Sequence, residues 1–321
     1  MFKSRKSIPI IIAALLVFQA TFAQQDAHFS QYMFTEIYNN PAYSGVEGVT
    51  NLSFLHRSQW MGYSPTFDDG GAPTTQMLSV DAPILRFRSG AGLLVVNDNI
   101  GAQNNLQILG SYAYHLSAGK GKLSFGIRAG IYSQTIDYDK YRYIDKNDPL
   151  LLKGKESQVR PDAAVGIFYK TEKYYGGVSL NHIIKSTFDF GIPSDSVRGS
   201  LENHMVITGG YLYELNYDFT LRPSLIVKSD FNTYSFDVTL LGIYQEKLWF
   251  GLSYRQGEAI VGMIGYKFLK DKSLKLGYAM DYIIQAQAAK QKTSQEFMLS
   301  YTLPAISGGG KKVIRTPRFR H

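Results

Sequence analysis

Residues 123–132 read LSFGIRAGIY, and apolar residues alternate with small or polar ones along the whole stretch. One face carries Leu123, Phe125, Ile127, Ala129 and Ile131, and the other carries Ser124, Gly126, Arg128, Gly130 and Tyr132. Because a strand points successive side chains to opposite faces, this period of two predicts a β-strand with one apolar face. A helix would need apolar residues at i, i+3 and i+4, a pattern that the stretch does not supply.

The same period recurs from about residue 50 to residue 303 and defines fourteen candidate strands. Most are long enough to cross a bilayer at a tilt, and an even number fits a barrel whose termini lie on one side. The fold class predicted is all-β, a transmembrane antiparallel β-barrel of about 14 strands. The predicted strands are residues 49–59, 72–82, 89–97, 104–117, 121–136, 161–171, 173–184, 202–215, 218–229, 233–245, 247–256, 258–268, 273–283 and 294–303.

The connections between these strands alternate in length. Every second one is short, at residues 84–88, 118–120, 172, 216–217, 246 and 269–272. The others include the long polar stretches 60–71, 137–160, 185–201 and 284–293, although three of this set are also short. Long outer loops and short periplasmic turns are typical of outer-membrane barrels. A soluble β-sandwich could show similar strands but has no reason to sort its loops in this way.

The two ends of the chain predict export and a mobile tail. Three cations precede the mostly apolar residues 8–20, and Thr21-Phe22-Ala23 offers a cleavage site, so residues 1–23 are predicted to be a signal peptide cleaved after about Ala23. Residues 24–48 are expected to form a periplasmic or plug-like segment, and 49–303 the barrel. Residues 304–321 begin with a glycine-rich linker and are predicted to be a flexible basic tail. The expected location is the bacterial outer membrane.

The net charge of +8 arises at these two ends. The leader carries three cations and the last eighteen residues carry five, both without an acid, so the body between them is neutral. A neutral body argues against nucleic acid as a partner. Cysteine is absent, which excludes thiolate metal sites and cysteine nucleophiles.

We find no motif that carries chemistry. The six histidines, His28, His56, His115, His182, His204 and His321, show no metal-ligand spacing, and neither HExxH nor GxSxG occurs. The sequence therefore predicts no catalytic, cofactor-binding or metal-binding residue, no cofactor and no enzyme activity.

Aromatic residues near strand ends are expected, as a set, to form an interfacial girdle, while a place in the core stays open for any single one. These are Trp60, Tyr63, Tyr244, Trp249, Tyr282 and Tyr301.

Several stretches together resemble the PorP/SprF family, whose members are outer-membrane proteins of the type IX secretion system, associated with gliding motility in Bacteroidetes. They are FSQYMF (29–34), YNNPAYSG (38–45), RSQWMG (57–62), GAPTTQ (71–76), NDNIG (97–101), LWFGLSYR (248–255) and GYAMDY (277–282). The resemblance follows the mature chain in order. The candidate structural and interaction residues are Phe29, Ser30, Gln31, Tyr32, Asn40, Pro41, Ala42, Gly45, Arg57, Gln59, Trp60, Gly71, Ala72, Pro73, Arg255 and Asp281.

The resemblance implies a non-enzymatic component of the type IX secretion and gliding apparatus that anchors or helps display secreted surface proteins. The implied partners are outer-membrane lipid, other secretion components, and a surface adhesin or other cargo. An outer-membrane pore or transporter for small solutes is the alternative, and an outer-membrane hydrolase is a third.

Arg57, Arg255 and Asp281 are expected to face the lumen, because a charge on the lipid face would cost about 2–4 kcal/mol at the midplane.

Overall fold

The structure is a computed structural model that describes residues 26–63, 71–142, 153–190, 199–285 and 291–304. Its strands are β1 (Asn51–Ser58), β2 (Thr74–Ile84), β3 (Ser89–Ile100), β4 (Gln103–Ala118), β5 (Gly121–Asp137), β6 (Lys155–Lys170), β7 (Tyr174–Asn181), β8 (Thr187–Phe188), β9 (Gly199–Ser200), β10 (His204–Tyr211), β11 (Tyr213–Glu214), β12 (Phe219–Ser229), β13 (Tyr234–Tyr244), β14 (Leu248–Arg255), β15 (Ala259–Phe268), β16 (Leu274–Ile283) and β17 (Thr293–Thr302). Three of them, β8, β9 and β11, have two residues each. The other fourteen form the wall of a barrel.

The wall closes because its first and last strands pair. Each wall strand is antiparallel to its neighbours along the chain, with β10 joining β7 to β12. Strand β17 returns to β1, with Asn51 opposite Thr302 and Ser58 opposite Gln295. Closure gives every wall strand two hydrogen-bonded neighbours, which a sheet in hydrocarbon requires. The predicted fold class, a transmembrane antiparallel barrel of 14 strands, is confirmed.

The alternation in residues 123–132 has the predicted consequence for β5. Phe125, Ile127 and Ile131 are exposed on the outer face, whereas Ser124 and Arg128 are buried in the lumen. Exposed apolar side chains recur around the outside of the wall, as in Phe250, Leu252 and Tyr254 of β14. A face of this kind is stable only against lipid.

One strand boundary departs clearly from the sequence prediction. Strand β6 begins at Lys155 rather than at residue 161, and residues 155–160 pair with 132–137 of β5. The sequence predicts residues 155–160 as part of the long polar connection 137–160. Pairing with the long strand β5 overrides that local signal, and the hairpin extends beyond the length needed to cross the bilayer.

The two ends of the barrel differ in the length of their connections. At the end we call the short-turn end, six turns join the strands, at residues 85–88, 119–120, 171–173, 212–218, 245–247 and 269–273. At the opposite end, the long-loop end, the connections are residues 59–73, 101–102, 138–154, 182–203, 230–233, 256–258 and 284–292. The predicted alternation of short and long connections is therefore confirmed, with three short connections at the long-loop end. Among the described residues, no helix is both long and apolar enough to cross a membrane.

Candidate functional site

The lumen of the barrel is occupied by the chain that precedes β1. We call residues 26–48 the lumen segment. It contains two 3-10 turns, Tyr32–Phe34 and Pro41–Tyr43, on either side of the one-turn helix α1 (Glu36–Asn39). Between residues 29 and 46 every residue except Phe34 and Tyr43 is buried. The described part of this segment therefore packs inside the barrel wall.

The lumen segment runs from the long-loop end to the short-turn end. At its start, the Asp26 carboxylate contacts His182 and His204, which lie beside the ends of β7 and β10. Near its finish, Gly45 N donates to Asp81 Oδ1 at 3.3 Å, and Glu47 pairs with Lys170. The chain then turns directly into β1 at the short-turn end.

Five charged residues of the wall converge on the lumen segment at Ser30. We call them, with Ser30, the arginine–carboxylate network: Arg57, Asp237, Arg255, Asp281 and Glu296. Arg57 Nη2 lies 2.6 Å from Asp281 Oδ2, and Arg255 Nη1 lies 3.1 Å from the same oxygen. Arg255 Nε also donates to Asp237 Oδ2 at 2.9 Å. The expected lumen-facing positions of Arg57, Arg255 and Asp281 are confirmed.

Ser30 and Gln31 complete this network from the lumen side. The Ser30 hydroxyl donates to Asp281 Oδ1 at 2.7 Å and accepts from Arg57 Nη1 at 2.9 Å and Arg255 Nη2 at 3.1 Å. The backbone N–H groups of Ser30 and Gln31 donate to the two oxygens of Glu296, at 2.8 and 2.9 Å. Hydrogen bonds to charged groups in a buried site are the strong kind. The network therefore fixes the lumen segment to β1, β14, β16 and β17.

Asn40 and Pro41 fit into a part of the wall that is lined by glycine. Asn40 Nδ2 donates to the carbonyl oxygens of Ile167 and Val178, at 3.0 and 3.2 Å, and Asn40 Oδ1 accepts from Ala42 N. A Cβ on Gly166 would overlap the Asn40 side chain, so glycine is required for this close approach. Asn40 caps the turn in which Pro41 is the first residue, a favourable pairing at a helical N-terminus.

The remaining candidate residues lie in two places. In the lumen, Phe29 packs edge-on against Tyr38 at 4.9 Å, and the Tyr32 hydroxyl donates to Ser224 Oγ at 3.2 Å. At the long-loop end, Gln59 N donates to the Pro73 carbonyl at 2.8 Å, and Trp60 N donates to Ser294 Oγ at 3.1 Å. Gly71 and Ala72 belong to the same connection. The structure thus brings eleven of the sixteen to the lumen or its wall and leaves Gln59, Trp60, Gly71, Ala72 and Pro73 at the long-loop end.

Trp249 does not lie in the predicted interfacial girdle. It is buried in the lumen, where its ring lies 5.2 Å from that of Phe34 of the lumen segment. Its position in β14 has the parity of Arg255, so it points inward. Tyr244 and Tyr282 are exposed on the outer face near strand ends, which fits the girdle. For Trp249, the alternation of inward and outward positions along the strand therefore predicts the place of the side chain better than its distance from the strand end does.

The structure also assembles a polar cluster that the sequence did not predict. Asp26 Oδ1 lies 2.9 Å from His182 Nε2, and Asp26 Oδ2 lies 3.0 Å from His204 Nδ1. His182 Nδ1 lies 3.0 Å from Asp162 Oδ2. Burial disfavours the charged imidazole, but the carboxylates outweigh it and raise the pKa of His182 to about 10. Histidine spacing along the chain could not reveal this cluster, because its members come from distant segments.

Glu36 is a buried carboxyl group in α1 and yields a prediction about pH. Burial raises its pKa to about 7 from 4.5, although Arg222 acts in the opposite sense. Between about pH 5 and pH 7 the folded protein therefore holds a proton that the unfolded chain has released, so stability should fall as pH rises through this range. We expect Glu36→Gln to reduce that fall, measured as the urea midpoint of the refolded barrel at both ends of the range.

Glu47 provides the control for that experiment. Burial would raise its pKa, but the Lys170 ammonium group outweighs burial and lowers it. Its contribution to stability is therefore complete above about pH 5 and is lost only below its lowered pKa. Glu47→Gln should leave the fall between pH 5 and pH 7 in place, and an equal loss of the fall in both variants would contradict the assignment to Glu36.

Comparison with solved structures identifies barrels of similar fold. A Pseudomonas aeruginosa FadL homologue is 13% identical over 84% of this chain and 94% of its own, with a TM-score of 0.51. The Ralstonia pickettii toluene transporter TbuX is 12% identical over 83% of this chain and 92% of its own, with a TM-score of 0.49. At these identities the likeness concerns the fold alone. No curated protein matches the chain.

Comparison with family models gives the family. The model described as Type IX secretion system membrane protein PorP/SprF matches residues 21–301. The match includes the lumen segment and the fourteen wall strands except for the last residue of β17, and it confirms the resemblance seen in the sequence. The chain therefore belongs to the PorP/SprF family of type IX secretion system membrane proteins.

Proposed function

We propose that this protein is a non-enzymatic outer-membrane scaffold of the type IX apparatus, which holds secreted surface proteins at its long-loop end and periplasmic components at its short-turn end. The observation that carries the proposal is the occupied lumen. A wall of fourteen strands is wide enough to conduct unless it is filled. Here the lumen segment fills it and is fixed by a buried network of charges, so the useful surfaces are the two ends.

The short-turn end offers a cationic surface for a periplasmic partner. Two pairs of lysines face each other across neighbouring strands there. Lys267 lies opposite Lys275, and Lys122 lies opposite Lys170, whose ammonium group also pairs with Glu47. Like charges placed directly opposite are destabilising, so an anionic partner would gain by relieving them. The basic residues 304–321 follow β17 at this same end, although residues 305–321 lie outside the described part of the chain. The proposed periplasmic contact is therefore with an acidic surface.

The long-loop end is the proposed site for cargo. Its connections include exposed apolar side chains, among them Met61, Ile184 and Phe231. The residue pairs Gln59–Pro73 and Trp60–Ser294 stiffen the base of the first long connection. A surface protein held here would stay outside the membrane while the barrel anchors it. A signal peptide cleaved after about Ala23 belongs to this proposal, because the barrel must be exported to reach the outer membrane.

Surface display of cargo tests the scaffold. Removal of the protein should abolish display of a specific secreted surface protein while other export continues, scored by surface proteolysis of intact cells. Unchanged display would contradict the proposal.

Planar-bilayer recordings of the purified full-length barrel distinguish the scaffold from a solute pore. A barrel with a filled lumen should show no conductance, whereas steady conductance would favour the pore.

Removal of residues 311–321 tests the role of the tail separately. These residues carry five cations and follow the last wall strand, so they are not needed for closure. We expect the truncated protein to assemble normally, with the usual heat-modifiable mobility on denaturing gels, and to recover less of its periplasmic partners on co-purification from native membranes. A truncated chain that fails to assemble would show that the tail has a structural role instead.

A further inference from the structure

Three segments that are distant in sequence meet at the long-loop end of the lumen. Asp26 begins the lumen segment, His182 follows β7, and His204 begins β10. The carboxylate oxygen and the two imidazole nitrogens that face one another all lie within 4.8 Å. Two imidazoles and a carboxylate are the ligand set of many zinc sites that keep a fourth position for water.

The surroundings of His182 resemble those of a metal ligand. Its Nε2 points to Asp26, and its Nδ1 lies 3.0 Å from Asp162 Oδ2. A carboxylate on the second nitrogen fixes the ring orientation and makes the first nitrogen a better ligand, once a metal has replaced the proton that Nε2 shares with Asp26. Asp162 is itself held, because its Oδ1 accepts from Ala163 N at 2.8 Å. The backbone of His182 has φ of +57°, an uncommon conformation for a residue other than glycine and one that recurs at functional sites.

The cluster borders a cavity that leaves room for an ion and a water ligand. The centre of a water molecule can occupy about 30 Å³ of this cavity, which is more space than a single water molecule requires. In a tetrahedral site with bonds of about 2.0–2.1 Å, ligand atoms lie about 3.3 Å apart. The two oxygen–nitrogen separations, 2.9 Å from Asp26 Oδ1 and 3.0 Å from Asp26 Oδ2, are a few tenths of an ångström shorter than this, and every ligand-atom separation is within 4.8 Å.

We propose that Asp26, His182 and His204 bind a divalent transition metal, with Zn²⁺ the best match, and that Asp162 orients His182 from behind. Imidazole ligands favour such metals, whereas Mg²⁺ and Ca²⁺ prefer sites built from oxygen alone. Because Asp26 belongs to the lumen segment, His182 directly follows β7 and His204 begins β10, the metal ties the first residues of the segment to the barrel. This site does not depend on which cargo or partner the scaffold holds.

Metal binding is tested on the full-length barrel purified in detergent, treated with a chelator and then dialysed. Titration with Zn²⁺ should show one site per chain, and Co²⁺ should give the visible absorption of a four-coordinate complex. His204→Gln and His182→Gln should abolish both signals, and Asp162→Asn should weaken Zn²⁺ binding by about 10–100-fold. His115→Gln is the matched control, because His115 is buried and hydrogen-bonded to Ser124 away from the cluster.

Thermal unfolding supplies a second measurement. A ligand that binds only the folded state raises the unfolding temperature, so Zn²⁺ should stabilise the wild-type barrel and His115→Gln but not His204→Gln. Heat-modifiable mobility on gels establishes that each variant is folded before it is titrated. The proposal is overturned if the wild-type protein binds no Zn²⁺, or if its binding is the same in the folded His182 and His204 variants. The cluster would then be a set of hydrogen bonds that fixes Asp26 without a metal.

Discussion

Asp281→Asn should lower the free energy of unfolding of the barrel by about 3–5 kcal/mol, the cost of removing one partner from a buried ion pair. Asp281 Oδ2 accepts from both Arg57 and Arg255, and all three side chains are almost completely buried. Asparagine keeps the shape but removes the charge, leaving two buried guanidinium groups with one carboxylate fewer. The measurement is urea unfolding of the protein refolded into lipid vesicles.

An ion pair of the same barrel in which one partner is exposed serves as the control. Asp137 lies 3.4 Å from Lys155, whose side chain is 70% exposed. Exposed pairs contribute only about 0–1 kcal/mol, so Asp137→Asn should change stability little. If Asp281→Asn costs no more than Asp137→Asn, the arginine–carboxylate network does not hold the lumen segment in place. A loss confined to Asp281→Asn would show that the network is a main anchor.

Gly126→Val should displace the lumen segment and open the barrel to ions. A Cβ at Gly126 would stand 2.5 Å from the Pro41 carbonyl carbon and closer still to the backbone of Ala42. These contacts are with backbone atoms, so no flexible side chain can move aside to make room. The cost in stability should therefore exceed that of ordinary overpacking, which is about 1–3 kcal/mol. We expect measurable conductance in planar bilayers, together with faster protease cleavage within residues 26–48.

Gly262→Val is the matched control for this substitution. Gly262 also lies in a wall strand, but a Cβ there meets no atom within 4 Å. Valine is favoured in strands, so this variant should assemble and stay silent. A Gly126→Val barrel as silent and as protease-resistant as Gly262→Val would contradict the close packing of the lumen segment. If Gly126→Val alone fails to assemble, the contact with Ala42 is needed during barrel formation itself.

The barrel wall could be predicted from the sequence because its signal is local. Parity within residues 123–132 assigns Arg128 to the lumen, and the structure shows Arg128 donating to the Tyr38 carbonyl at 2.9 Å. The same parity in residues 248–255 assigns Arg255 inward. Each strand repeats the contrast between lipid and lumen, so fourteen independent segments point to one fold. Where the prediction was wrong, at the start of β6, pairing with β5 had overridden the local signal.

The contents of the lumen could be predicted only in part. Arg57, Arg255 and Asp281 were expected to face inward, but their partner Glu296 and the central position of Ser30 were not foreseen. The cluster of Asp26, His182 and His204 was missed because 156 and 178 residues separate the carboxylate from the two rings. Spacing rules find ligands that share one element. Ligands brought together by closure of a barrel leave no such pattern.

The position of the lumen segment also bears on how the barrel is made. Ser30 is bound by Glu296, a residue 266 positions further along the chain, and the closed wall offers no side entrance. Because Glu296 lies in β17, the hydrogen bonds that hold Ser30 can be completed only when the last wall strand is present. Such distant pairings are slow to form. We expect substitutions at Ser30 or Asn40 to delay insertion into the membrane even where the finished barrel is stable.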